Sequence, residues 1–308
     1  MAHIIGLMLT RNSDWIIGFS LRAAMRWVDG MVVMLHNCTD RTLDIAHQVA
    51  AEFPDKIVIT TVEDPFWNEM LHRQRTLELG RDIGGTHFAI IDDDEALTCN
   101  QLKNISAAVR ALNPHETLSV PMIPVWRDTT KHRVDDCPWS RAELSLAFAD
   151  GPGVTWQPQH DGYQFHSRFP RATTPKRSPR MERRMMTRMR RARMRQTPIV
   201  NRMDGGAFHF QFAAWKRLKA KHVWYRMIET VMYPGRRAPE QINEMYSLAL
   251  NEDGCQLATI PSEWKDCYSD ILKHINIDAP SWHLHECRRM MAEHGPEKFA
   301  GLDLLGLV

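Results

Sequence analysis

The apolar run from His87 to Ile91 ends in Asp92-Asp93-Asp94-Glu95, four acids that a folded chain does not normally crowd together. Carboxylates at alternate positions, such as Asp92 and Asp94, repel each other when both are ionised, and a hard divalent cation with oxygen ligands is the usual relief. A solvated acidic turn after a buried strand is the plainer reading of such a cluster taken alone. The segments before it decide which reading holds.

Those segments alternate. His3 to Leu9 is a short apolar run closed by Thr10-Arg11-Asn12, too short for a helix and suited to a buried strand. Trp15 to Trp27 has apolar positions at helical spacing and stops at Asp29-Gly30. Met31 to Leu35 reads as a second strand, ending in His36-Asn37-Cys38-Thr39-Asp40; a helix from Thr42 is broken at Pro54; Ile57 to Val62 is a third strand, ending in Glu63-Asp64. A helix over 67–80 then leads to the fourth strand and the acids. This βαβ alternation predicts a mostly parallel sheet flanked by helices, and in such sheets ligands bind at the shared carboxyl edge of the strands. Thr10, Arg11, Asn12, His36, Asn37, Glu63, Asp64 and Asp92 to Asp94 are therefore expected in one crevice. Neither GxGxxG nor GxxxxGK[ST] occurs, so any phosphate would be held by metal and arginine.

Further on, 102–112 is helical and Thr117 to Ile123 is a strand; 141–148 has no clear period. The stretch from Trp156 to Pro170, rich in aromatics and histidine, reads as a loop able to line a pocket. Gly205-Gly206 resets the chain, and patterns reaching Lys221, then 224–233 and 239–250, give a mainly helical C-terminal part. The expected division is 1–170, a basic segment 171–205, and a helical region 206–308.

At 308 residues, 44% hydrophobic and 25% charged, the chain has an ordinary globular composition. The net charge of +2 hides an uneven distribution: eleven basic residues and one acid lie between Arg171 and Arg195. As a helix this segment would carry a methionine stripe (Met181, Met185, Met189) under a cover of arginines, fit for water, an acidic ligand or nucleic acid. The six cysteines form no CxxC pair and are expected as reduced thiols. No leader peptide or membrane span is recognised, which predicts a cytoplasmic protein, in the host cytoplasm if phage-encoded. The spacing of His283, His285 and Cys287 matches no zinc pattern.

Leu9-Thr10-Arg11-Asn12, the run from Leu35 to Thr42, the helix bearing Arg73 and Arg75, and Ile91-Asp92-Asp93-Asp94-Glu95 together resemble the successive motifs of family 2 type glycosyltransferases with the GT-A fold, over about the first hundred residues. The chain departs from that pattern in placing His36 where the family usually has aspartate, with Cys38-Thr39 in place of small residues. The resemblance implies a GT-A (Rossmann-like) sheet and a nucleotide-sugar donor, expected as a UDP-sugar. The donor would be bound by Thr10, Arg11, Asn12, His36, Asn37, Asp40, Arg73, Arg75, Asp92 and Asp93. It also implies Mn²⁺ or Mg²⁺ on Asp92 and Asp94, with Asp94 the more direct ligand, and on a distal histidine, for which His209 is the candidate. The acceptor hydroxyl needs a base; Asp204 is the first choice and Asp161 the second.

The expected function is transfer of a sugar to an acceptor hydroxyl. The basic segment suggests a nucleic-acid acceptor, such as a hydroxymethylated pyrimidine in phage-type modified DNA, gripped by Arg183, Arg184, Arg188, Arg190 and Arg191. Three other readings stay open: a glycosyltransferase acting on a cell-surface saccharide, a nucleotidyltransferase, and a nucleic-acid-binding protein without catalysis. Oligomeric state has no signal in the sequence.

Overall fold

The computed structural model describes residues 2–64, 67–156, 167–175 and 200–308. β1 (Ile4–Thr10), β2 (Gly30–His36), β3 (Ile57–Val62) and β4 (His87–Ile90) are interleaved with α1 (Ile17–Ala24), α2 (Thr42–Glu52) and α3 (Glu69–Asp82). β5 (Glu95–Leu97) and α4 (Leu102–Arg110) follow, then β6 (Glu116–Pro124), β7 (Lys131–Arg133), β8 (Glu143–Ala149), β9 (Thr174–Pro175), β10 (Ala207–His209) and β11 (Leu257–Thr259). Nine strands form one sheet in the order β3-β2-β1-β4-β8-β6-β10-β5, with β9 beside β6.

The first four strands are mutually parallel, and β8 runs antiparallel to both β4 and β6. Every residue of β1 and β2 is buried, as expected for parallel strands covered on both faces. Ile5, Leu7, Val32, Leu77, Phe88 and Phe148 pack into one core with Trp156, and this fixes the register that places the strand ends. The result is the α/β architecture expected: a mostly parallel sheet flanked by helices, with helices at the C-terminus.

The chain forms two compact units, one of residues 1–123, 141–208 and 261–275, the other of 124–140, 209–260 and 276–308. The units interleave along the chain. In the second unit, one helix over Trp215–Met232 replaces the two patterns expected on either side of residue 222. Its inward face carries the buried polar residues Arg217, His222, Arg226 and Glu229, which interrupt the apolar period that a sequence reading relies on.

One further correction concerns the cysteines. Cys99 and Cys267 are joined in a disulfide with Cα atoms 5.8 Å apart, while Cys38, Cys137, Cys255 and Cys287 are free. The absence of CxxC spacing says nothing about a pairing across 168 residues. No described helix is long and apolar enough to cross a membrane.

Candidate functional site

The acid cluster leaves β4 as a tight turn. Ile91 N–H still donates to the Leu7 carbonyl of β1, Glu95 N–H donates to the Asp92 carbonyl at 3.1 Å, and Asp92 N–H donates to Glu95 Oε2 at 3.0 Å. The three aspartates therefore point to different surroundings.

Asp93 turns inward. Its carboxylate accepts from the hydroxyls of Thr10 and Ser13, and its carbonyl accepts from Ser20 of α1. Burial, and then the charge of Asp94, push its pKa up to about 6, although both hydroxyl bonds pull the other way. It ties β4 to the end of β1, so a direct donor contact is not the role this geometry gives it.

Asp92 is gripped by arginines. Its Oδ2 accepts from Arg168 Nη1 at 2.8 Å, and Arg73 Nη2 lies 3.5 Å from its Oδ1. The same Arg168 makes a two-pronged contact with the buried Glu95 and donates to the carbonyls of Ile90 and Ser145. These carboxylates raise the Arg168 pKa against the desolvation that would lower it, so its guanidinium keeps its charge. Arg73 is also held by Glu69, one turn earlier on α3, at 2.8 Å. Arginines and hydroxyls thus supply much of the neutralisation that the sequence assigns to a cation.

The other strand ends reach the same edge. Asn12, in left-handed conformation at φ 51°, accepts from the N–H groups of Thr39 (2.7 Å) and Asp40 (3.3 Å), binding the end of β1 to that of β2. Asp40 in turn accepts from Asp14 N–H and from Thr42 at the start of α2. Asn37 Nδ2 and His36 Nε2 both donate to the Asp64 carbonyl after β3, at 2.7 and 2.9 Å. The Asp64 carboxylate pairs with Arg75 at 2.9 Å and faces His72 at 3.4 Å. His36 is almost fully buried between Trp67 and His72; burial lowers the His72 pKa more than Asp64 raises it.

Thr10, Asn12, His36, Asn37, Asp40, Arg73, Arg75 and Asp92 to Asp94 therefore converge as the topology requires, and Arg11 lies between Thr10 and Asn12 on the same strand end. Asp64 joins them as expected, and so do Arg168, Ser13, Ser20 and Glu95, which the sequence does not single out as site residues. Arg168 falls in the stretch expected to line a pocket, but nothing in its local sequence marks it.

His209 belongs to the second unit, edge-on to Phe212 at 5.6 Å with its carbonyl accepting from Val125 N–H. Asp204 is held at the opposite end of β5 from the acids: its carbonyl accepts from Asn100 and Gln101, and neighbouring Gly206 bonds to Thr98. Three extended residues span about 10 Å, and a base must lie within about 3 Å of the proton it takes. Asp161, Arg183, Arg184, Arg188, Arg190 and Arg191 lie outside the described residues.

No group of three or more His, Cys, Asp or Glu able to hold a metal occurs among the described residues. Magnesium-type sites use one or two carboxylates and take their remaining ligands from substrate phosphates and water. Asp94, buried at 8% exposure, with Asp92 beside it, fits that pattern and does not form an all-protein cage.

No protein-family profile matches the chain, and no curated protein matches it. Among solved structures, S. aureus TarS 1-349 in complex with UDP is similar at 14% identity and TM-score 0.33, over 48% of this chain and 46% of that one. A second crystal structure of S. aureus TarS 1-349 matches at 10% identity and TM-score 0.36, over 96% of this chain and 89% of that one. The mannosyltransferase PcManGT from Pyrobaculum calidifontis, in complex with GDP-Man and Mn2+, matches at 21% identity and TM-score 0.31, over 41% and 36%. The chain thus spans less than half the length of the first and third of these structures.

Proposed function

We propose that the chain is a metal-dependent glycosyltransferase whose nucleotide-sugar donor binds at the carboxyl edge of β1 to β4. The observation that carries this reading is the convergence of four sequence motifs on that edge, with the buried Asp94 next to an Asp92 already held by Arg73 and Arg168. A metal held by Asp94 and Asp92 would supply Lewis-acid stabilisation of the charge that builds on the departing diphosphate. Arg73, held by Glu69 at 2.8 Å and 3.5 Å from Asp92, would add its charge to that stabilisation. The Asn12–Asp40 and His36–Asn37–Asp64 bonds keep the rims of the crevice in place for nucleoside binding.

A UDP-sugar is the proposed donor. A DNA acceptor rests on the arginine content of 171–195 alone, and salt-insensitive acceptor binding would remove it. Titration calorimetry with UDP and GDP, each with and without Mn²⁺, tests the donor site. The expected result is UDP binding that Mn²⁺ strengthens at least about tenfold, an effect lost in Asp94→Asn. Nucleotide affinity indifferent to both metal and Asp94 would count against the reading.

A further inference from the structure

The first unit carries a second concavity at the other end of β5, a groove of about 460 Å³, within the range of small-ligand sites. Three stretches distant in sequence form it: 100–104 at the start of α4, 200–204, and 263–264. These walls are fixed to one another. The Cys99–Cys267 disulfide joins the first to the third. Asp204 O, accepting from Asn100 Nδ2 at 2.8 Å and Gln101 Nε2 at 2.9 Å, joins the first to the second. Gly205 and Gly206 make the second approach possible: at φ 124° and 154°, a Cβ would meet Thr98 Oγ1 at 2.4 Å or the Pro121 carbonyl at 2.2 Å.

The chemistry of the lining is specific. Four carboxamides (Asn100, Gln101, Asn104 and Asn201) and two carboxylates (Asp204 and Glu263) face the groove, and no Lys or Arg lines it among the described residues. Several amides use one function on the wall and leave another for a ligand. Asn100 and Asn104 donate through Nδ2, leaving their carbonyl oxygens, while Asn201 accepts from Met203 N–H through Oδ1, leaving its Nδ2 donors. Acceptors therefore outnumber donors, and both formal charges are negative. A phosphate, a nucleic acid or an acidic sugar would meet the carboxylates of Asp204 and Glu263, at several kcal/mol per close like-charge contact. A ligand dense in hydroxyl donors and without acidic groups matches the lining, and Trp264, Val200 and Met203 add apolar surface for its C–H faces.

We propose that this groove binds a neutral saccharide, at a site separate from the acid-lined edge of β1 to β4. The binding requires neither nucleotide nor metal and does not depend on the glycosyltransferase reading. The test is calorimetry and saturation-transfer NMR on the whole protein, without nucleotide or metal, using maltotriose, cellotriose, mannotriose, N-acetylchitotriose and an acidic hyaluronan oligosaccharide. Glu263→Leu and Asn104→Leu alter exposed side chains of the groove, and Asp94→Asn alters the other edge. The expected result is that at least one neutral oligosaccharide binds, that either groove substitution weakens it about tenfold, and that Asp94→Asn leaves it unchanged. Binding by none of the neutral sugars, affinity unaffected by the groove substitutions, or preference for the acidic oligosaccharide would each overturn the proposal.

Discussion

Arg168 shows what an acidic motif leaves unsaid about its own neutralisation. Asp92 to Glu95 are conspicuous in sequence because four acids follow an apolar run. Their partner arrives more than seventy residues later, without a local pattern to announce it. The same holds for Ser13 and Ser20, ordinary hydroxyls until the fold turns Asp93 toward them. The energetic consequence is testable. Arg168 is 15% and Glu95 3% exposed, so Arg168→Met leaves a buried carboxylate without its partner and should lower unfolding free energy by about 3 kcal/mol. Adding Glu95→Gln should recover part of that loss. Urea unfolding of both variants measures it; a loss under about 1 kcal/mol would mean that the pair is screened like a surface one.

At the scale of elements, the strands were legible because their apolar runs are short, continuous and bounded by polar turns, and the convergence of their ends follows from parallel topology. The helix over Trp215–Met232 was not legible as one element because its buried face is partly polar. One of those polar residues gives this unit a pH dependence. His222 donates through Nδ1–H to the Tyr246 carbonyl, 2.9 Å away, which fixes the Nδ1–H form. Burial, and then the charge of Lys221, bring its pKa down to about 4 from 6.5. As pH falls below 6.5 the unfolded chain takes up a proton that the folded chain refuses until about pH 4, so stability is lost across that window, roughly 2 kcal/mol by about pH 5. His222→Asn keeps a donor for Tyr246 and removes the titration. Melting curves of the two proteins should therefore draw together on acidification from pH 7 to 5; a constant gap would assign the loss to other groups.

For the whole molecule, the sequence conveyed the fold class but neither the interleaved units nor the disulfide, since both depend on contacts between distant segments. Denatured, unreduced protein should titrate four thiols, and Cys99→Ser with Cys267→Ser should cost about 5 kcal/mol of stability, the chain-entropy value for a loop closed across 168 residues. Six titratable thiols would contradict the pairing. The central claim, that the acid edge handles a nucleotide sugar, is tested most directly by donor hydrolysis: purified protein with Mn²⁺ or Mg²⁺, a panel of nucleotide sugars, and release of free nucleoside diphosphate as the readout. The account predicts metal-dependent release that is removed by EDTA and reduced at least about a hundredfold in Asp94→Asn. Release of pyrophosphate, release indifferent to metal and to Asp94, or no release from any donor with candidate acceptors present would contradict it.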